Sequence, residues 1–133
     1  MIRVLILDDG LVQREGIAKV VEDTQMMSVI GVAATPQEAL SILKERPADV
    51  ALVDLVLGDH PSGIEVGREM RRIRPELKVI IYTKRKGMVL AAEILWEKKT
   101  GEQPRLQGYV LTKNIFSSEH LKDIYDSILH TGR

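Results

Sequence analysis

The stretch Val50-Ala51-Leu52-Val53-Asp54 is an unbroken apolar run that ends on a carboxylate. Such a short run, bounded by Pro47 and Gly58, predicts a strand that is buried on both faces of a parallel sheet. Asp54 then stands at the carboxyl end of that strand, which is the edge where open α/β sheets bind their ligands. The sequence therefore predicts a functional aspartate at the centre of an α/β fold.

The rest of the chain alternates between strand-like and helix-like patterns. Two capping boxes, Thr35-Pro36-Gln37-Glu38 and Ser62-Gly63-Ile64-Glu65, mark helix starts. Alternating strands and helices predict a parallel sheet with right-handed crossovers and helices on both faces. The other predicted strands are residues 2–7, 28–34, 78–82 and 108–111, and the last two helices are predicted at 88–96 and around 121–129.

Composition narrows the possible classes of protein. Lysine plus arginine and aspartate plus glutamate each number 19 among 133 residues, so we expect no direct contact with DNA by this domain. The absence of cysteine excludes disulfides, thiolate metal sites and cysteine nucleophiles. No signal peptide or membrane-spanning run is recognisable, which predicts a cytoplasmic location and no membrane partner. The length fits one domain over residues 1–133.

Several polar residues follow other predicted strands and should meet Asp54 at the same sheet edge. Asp8 and Asp9 follow the first strand, Thr83 the fourth and Lys113 the fifth. Three carboxylates about 5 Å apart repel by about 3 kcal/mol per pair at an effective dielectric of about 20. A lysine offsets part of this cost and a divalent cation offsets more, and oxygen ligands favour Mg²⁺ over zinc.

An ionised aspartate is a competent nucleophile toward phosphorus and forms an acyl phosphate. Such a transfer mainly needs positioning and neutralised charge on the phosphoryl oxygens, which a metal, a lysine and a threonine hydroxyl provide. Each residue alone also has a simpler interpretation: the aspartates as caps, Thr83 as a satisfied strand end, and Lys113 as solvated surface. Their joint placement after separate strands favours the phosphoacceptor interpretation of Asp54.

The segments that carry this pattern resemble the receiver domain of two-component response regulators, over essentially the whole chain. The resemblance implies a CheY-like, flavodoxin-like (βα)5 doubly wound parallel sheet with strand order 2-1-3-4-5. It also implies a domain that is not a turnover enzyme. The matching segments are Leu5-Ile6-Leu7-Asp8-Asp9, Ala51-Leu52-Val53-Asp54, Val79-Ile80-Ile81-Tyr82-Thr83, and Gly108-Tyr109-Val110-Leu111 leading to Lys113.

The same resemblance implies roles for the acidic residues. Asp54 would be the phosphoacceptor, supplied by a sensor histidine kinase or a phosphotransfer protein. Asp9, Asp54 and the backbone carbonyl of Val56 would bind Mg²⁺, and Asp8 would act through a water molecule.

It also implies a switch. Lys113 would pair with the phosphoryl group, Thr83 would be the switch hydroxyl and Tyr109 the switch aromatic. The surface formed by the fourth helix, fifth strand and fifth helix would then control a partner protein, a homodimer or an output domain. Residues 9–16 further resemble receivers fused to helix-turn-helix output domains, through which any DNA contact would be made.

The sequence departs from the family pattern near the fifth strand. Lys113 follows Tyr109 by four residues where three are usual, so either Thr112 is an inserted bulge or the Tyr109 side chain points differently. Lys84 follows Thr83 where a small residue is usual, and an insertion is predicted near residues 96–107. Two alternatives stay open at this point: a pseudo-receiver that phosphorylation does not switch, and a phosphatase of the haloacid-dehalogenase type.

Overall fold

A computed structural model describes residues 1–58 and 63–83, residues 94, 97–99 and 101, and the backbone of residues 108–112. The helices predicted at 88–96 and around 121–129 lie wholly or mainly outside this part of the chain. So do Lys84, Lys113 and most of the insertion predicted near 96–107.

The strands form one parallel sheet in the order β2-β1-β3-β4-β5. This confirms the predicted fold class and strand order, and it places β3 between β1 and β4. The predicted strand boundaries are correct to within one residue at each end. The strands are β1 Ile2–Leu7, β2 Met27–Ala33, β3 Val50–Asp54, β4 Lys78–Thr83 and β5 Gly108–Thr112.

Three helices connect the first four strands: α1 Leu11–Asp23, α2 Pro36–Glu45 and α3 Gly63–Ile73. Helix α2 begins as predicted, because the Thr35 hydroxyl accepts the Glu38 backbone N–H at 3.2 Å. Helix α1 begins after Gly10 without a side-chain cap. The interpretation of Asp8 and Asp9 as caps of this helix is therefore wrong.

The sheet separates two apolar layers, because successive side chains of a strand point to opposite faces. One layer joins Ala51 and Val53 to buried residues of α2 and α3. The other joins Val50 and Leu52 to buried residues of α1. Every residue of β3 is buried, which is the physical reason for its unbroken apolar sequence.

Strand β2 is irregular at the glycine that interrupts its apolar pattern. Val4 pairs with Val29 and Leu5 pairs with Gly31, so Ile30 is an extra residue in β2. The Ile30 carbonyl accepts a hydrogen bond of 2.7 Å from Arg46. Beyond this irregularity, residues 31–33 of β2 pair one to one with residues 5–7 of β1, up to the end of β1.

No helix in the described ranges is both long and apolar enough to cross a lipid bilayer.

An ion pair joins β1 to the residue before β3 at the edge opposite the predicted site. The Arg3 guanidinium donates to both carboxylate oxygens of Asp49, at 3.0 and 3.1 Å, and the Arg3 backbone N–H donates at 2.8 Å. The side-chain hydrogen bonds from Arg3 are the main cause that lowers the pKa of Asp49, against partial burial, which raises it. The same pair raises the pKa of Arg3.

This pair makes folding stability depend on pH. Because folding lowers the pKa of Asp49, its ionised carboxylate stabilises the folded state above about pH 4, and this contribution is lost as the pH falls through the lowered value. We therefore expect Asp49→Asn to unfold at a lower urea concentration than wild type at pH 7, with the gap narrowing below about pH 4. Urea titrations at pH 7 and pH 3 measure this, and a gap of constant size contradicts it.

Candidate functional site

Three carboxylates meet at the carboxyl ends of β1 and β3. One oxygen each of Asp8, Asp9 and Asp54 lies within 4.8 Å of the other two. Asp8 is fully buried, Asp54 is 4% exposed, and Asp9 is exposed. The structure therefore brings together the three acids that the sequence analysis singled out, because β1 and β3 are neighbours in the sheet.

Two of these carboxylates are oriented by their own loops. Asp8 Oδ1 accepts the backbone N–H of Gly10 at 2.8 Å, and Asp54 Oδ1 accepts the backbone N–H of Val56 at 3.2 Å. Each bond spans two residues, the pattern by which aspartate side chains stabilise turns. The carboxylates are thus fixed relative to the backbone that carries them.

Asp9 connects the two loops. Its Oδ2 accepts the backbone N–H of Gly58 at 2.7 Å, 49 residues further along the chain. Gly58 has a φ of +69°, a left-handed conformation that glycine adopts without a steric penalty. A cation bound at Asp9 would therefore contact a residue that already ties the loop after β1 to the loop after β3.

Tyr82 is a member of the site that the sequence analysis missed. Its hydroxyl donates to Asp8 Oδ2 at 2.7 Å, the side chain is fully buried, and its Cα is paired with that of Asp54. Burial raises the pKa of the Tyr82 phenol well above its usual value, and the neighbouring carboxylates raise it further. The Tyr82 hydroxyl therefore stays protonated and donates its hydrogen to Asp8.

The sequence does contain a signal for Tyr82. The pattern of residues 78–82 predicts an apolar strand, and tyrosine is common in strands. However, alternation places Tyr82 on the same face of β4 as Ile80, which packs in the apolar layer of α1 together with Leu52. Asp54 follows Leu52 by two residues on that face, so alternation predicts that the Tyr82 side chain lies on the same face of the sheet as Asp54.

Two further predicted residues, Thr83 and Tyr109, lie on β4 and β5. Thr83 is the last residue of β4 and is 2% exposed. In β5, Tyr109 is paired with Ile80 and Thr112 with Thr83. The pairing advances one residue at a time along both strands, so the inserted bulge proposed at Thr112 is wrong. Lys113 follows directly and lies outside the described residues.

The chemistry of this cluster fits a hard divalent cation. The three groups offer only oxygen ligands, which suit Mg²⁺ and do not suit a zinc site of sulfur and nitrogen ligands. Holding them within 4.8 Å of one another costs about 3 kcal/mol per pair at an effective dielectric of about 20. A bound cation offsets that cost.

Comparison with known proteins identifies the family. The family model described as "Response regulator receiver domain" matches residues 4–100 of this chain, and the chain belongs to that family. Receiver domains are phosphoacceptors and are not classical turnover enzymes. This confirms the resemblance stated from the sequence.

Individual relatives agree with this assignment. Response regulator GacA of Pseudomonas aeruginosa is 32% identical over 83 residues, which are 62% of this chain and 38% of that protein. Transcriptional regulatory protein LnrK of Bacillus subtilis is 33% identical over 101 residues, or 76% of this chain and 46% of that protein. The chain thus spans less than half the length of these curated relatives.

Solved structures show the same fold. A response regulator receiver domain protein from Clostridium thermocellum has a TM-score of 0.77 at 25% identity, covering 98% of this chain and 96% of that one. A two-component response regulator of the LuxR family from Aurantimonas has a TM-score of 0.75 at 28% identity, covering 96% and 84% respectively.

The close approach of α3 to the end of β3 generates a prediction. A Cβ added at Gly63 would lie 2.3 Å from the Asp54 carbonyl oxygen and 2.8 Å from Leu55 Cα. Both are backbone atoms, so the start of α3 would have to move away from the site. We expect Gly63→Ala to lower the free energy of unfolding by about 2 kcal/mol, as overpacking typically does.

Gly16→Ala is the matched control. A Cβ at Gly16 has no neighbouring atom within 4 Å, and alanine is the better helix former by about 1 kcal/mol. Denaturant titrations should show opposite signs for the two substitutions. Equal stability of Gly63→Ala and wild type would contradict the close approach.

Proposed function

We propose that this domain accepts a phosphoryl group on Asp54 from a phosphohistidine of a sensor kinase or a phosphotransfer protein. The observation that carries the proposal is the buried carboxylate of Asp54 at the end of the central strand, with Asp8 and Asp9 beside it. Membership of the receiver family supports the phosphoacceptor role.

In the proposed transfer, a carboxylate oxygen of Asp54 attacks phosphorus. A P–O bond forms, the P–N bond to the donor imidazole breaks, and the ring nitrogen leaves with the electron pair. The hydrogen bond from Val56 N–H to Asp54 Oδ1 orients the carboxylate for this attack. No general base is required, because an ionised aspartate has no proton to lose.

The proposed cofactor is Mg²⁺, held by Asp9, Asp54 and the backbone carbonyl of Val56, with Asp8 acting through water. When bound, the cation neutralises charge on the carboxylates and on the phosphoryl oxygens. The hydrogen bonds from Gly10 to Asp8 and from Gly58 to Asp9 hold two of these groups in place beforehand. This preorganisation is what an electrostatic site needs in order to act without rearranging.

The proposed output is a change in the surface formed by the predicted fourth helix, β5 and the predicted fifth helix. Phosphorylation adds negative charge and acceptor oxygens at Asp54, to which the Thr83 hydroxyl and the Lys113 ammonium would be drawn. Both residues end or follow neighbouring strands, so their movement would shift β5 and the predicted helices on either side of it. The role of Tyr109 as the switch aromatic stays a prediction, because the regular pairing of β5 leaves Tyr109 four residues before Lys113 instead of the usual three.

We propose that this surface controls a second copy of the chain or an attached output domain. Relatives include a transcriptional regulatory protein and structural neighbours include a LuxR-family regulator, which favours DNA binding through a further domain over direct contact. We also propose that residues 1–133 form one receiver domain, that it carries an insertion near residues 96–107, and that the protein is cytoplasmic.

Phosphorylation with a small phosphodonor tests the assignment of Asp54. We expect incubation with acetyl phosphate and Mg²⁺ to add one alkali-labile phosphoryl group to wild type and none to Asp54→Asn, measured as intact mass. Asp49→Asn is the matched control, because the same substitution at the opposite sheet edge should leave incorporation unchanged. An equal adduct on Asp54→Asn would refute the site, and no adduct on wild type would favour the pseudo-receiver.

A further inference from the structure

The hydrogen bond between Tyr82 and Asp8 crosses the middle of the sheet edge. Tyr82 lies on β4 and Asp8 follows β1, and β3 lies between these two strands. Neighbouring strands are about 4.8 Å apart, so the phenol has to reach across the width of β3. Its hydroxyl meets Asp8 Oδ2 at 2.7 Å within a fully buried environment.

This bond completes the restraint on Asp8. The Gly10 N–H holds Oδ1 at 2.8 Å, and the Tyr82 hydroxyl holds Oδ2, so both oxygens have a defined donor. A carboxylate with a donor on each oxygen cannot rotate without breaking one of the two bonds.

We propose that Tyr82 is a positioning residue for the cation site, which it serves by orienting Asp8. The inference rests on the proposed function, because it concerns the same Mg²⁺ that Asp9 and Asp54 would bind. Tyr82 itself would not touch the metal. Groups that orient metal-binding side chains in this way commonly change metal affinity by 10-fold or more when they are removed.

The competing explanation is purely structural: a buried tyrosine hydroxyl needs an acceptor, and Asp8 provides one. Both explanations predict that Tyr82→Phe destabilises the fold. Only the positioning role predicts a weaker Mg²⁺ affinity of the folded protein, and only that role predicts that the effect disappears when Asp8 no longer carries the charge.

The experiment is a calorimetric titration of the 133-residue chain with MgCl₂ at pH 7. Wild type, Tyr82→Phe, Asp8→Asn and the double variant form a cycle. We expect Tyr82→Phe to raise the Mg²⁺ dissociation constant about 10-fold, and to leave it within about twofold in the Asp8→Asn background. Urea titrations in EDTA confirm that each variant is folded at the titration temperature.

Thr24→Ala is the control for loss of a hydroxyl elsewhere. The Thr24 hydroxyl donates to the Val21 carbonyl at 2.7 Å, before the start of β2 and therefore at the sheet edge away from the acids. This variant should lose stability and keep the wild-type Mg²⁺ affinity. A similar loss of affinity in Thr24→Ala would show that general destabilisation explains the result and would overturn the positioning role.

The remaining outcomes separate this inference from the proposed function. If wild type binds Mg²⁺ and is phosphorylated, but Tyr82→Phe binds Mg²⁺ equally well or more tightly, the positioning role is wrong and the phosphoacceptor function stands. If wild type neither binds Mg²⁺ nor accepts a phosphoryl group, both fail. An equal effect of Tyr82→Phe with and without Asp8 would assign the tyrosine a role independent of that carboxylate.

Discussion

The crowding of Asp8, Asp9 and Asp54 is the constraint on which the rest of this structure depends. Like charges held within 4.8 Å of one another oppose folding, and Asp8 and Asp54 are also removed from water. A fold tolerates this only if many other interactions hold the groups together. Strand β3 lies between β1 and β4 and is buried along its whole length. Its packing and hydrogen bonding hold the strand ends that carry these acids.

The loops above the sheet complete the restraint with backbone amides. The Gly58 N–H links Asp9 to the loop after β3, and Gly63 lets α3 start against the Asp54 carbonyl, where a side chain has no room. The Tyr82 hydroxyl adds a donor from within the apolar layer. The acids are thus fixed before any ligand arrives, which suits a site that works by electrostatics.

Much of this arrangement can be predicted from the sequence, because short sequence patterns with known physical causes determine the strands and helix starts. The apolar run of residues 50–54 required burial on both faces, and the capping threonine Thr35 set the start of α2. Parallel topology then placed Asp8 and Asp54 at one edge, and the strand order of the receiver family made β1 and β3 neighbours. These steps need no knowledge of side-chain contacts.

The parts that sequence reasoning missed depend on registration between strands. Alternation along β4 indicates which face Tyr82 is on, but the pairing with Asp54 and the hydrogen bond to Asp8 are needed to show that its hydroxyl reaches the acids. Likewise, the spacing between Tyr109 and Lys113 is compatible with a bulge at Thr112, and the one-to-one pairing of β4 with β5 excludes that bulge. Spacing along one chain does not determine how two strands align.

We infer that the three acids repel one another in the free protein and that a bound cation relieves this repulsion. The most direct measurement is the free energy of unfolding of wild type and Asp9→Asn, from urea titrations with EDTA and with saturating Mg²⁺. We expect Asp9→Asn to be more stable than wild type in EDTA, by about 1 kcal/mol after solvent screening, and less stable than wild type in Mg²⁺. The same order of stability in both solutions would contradict it.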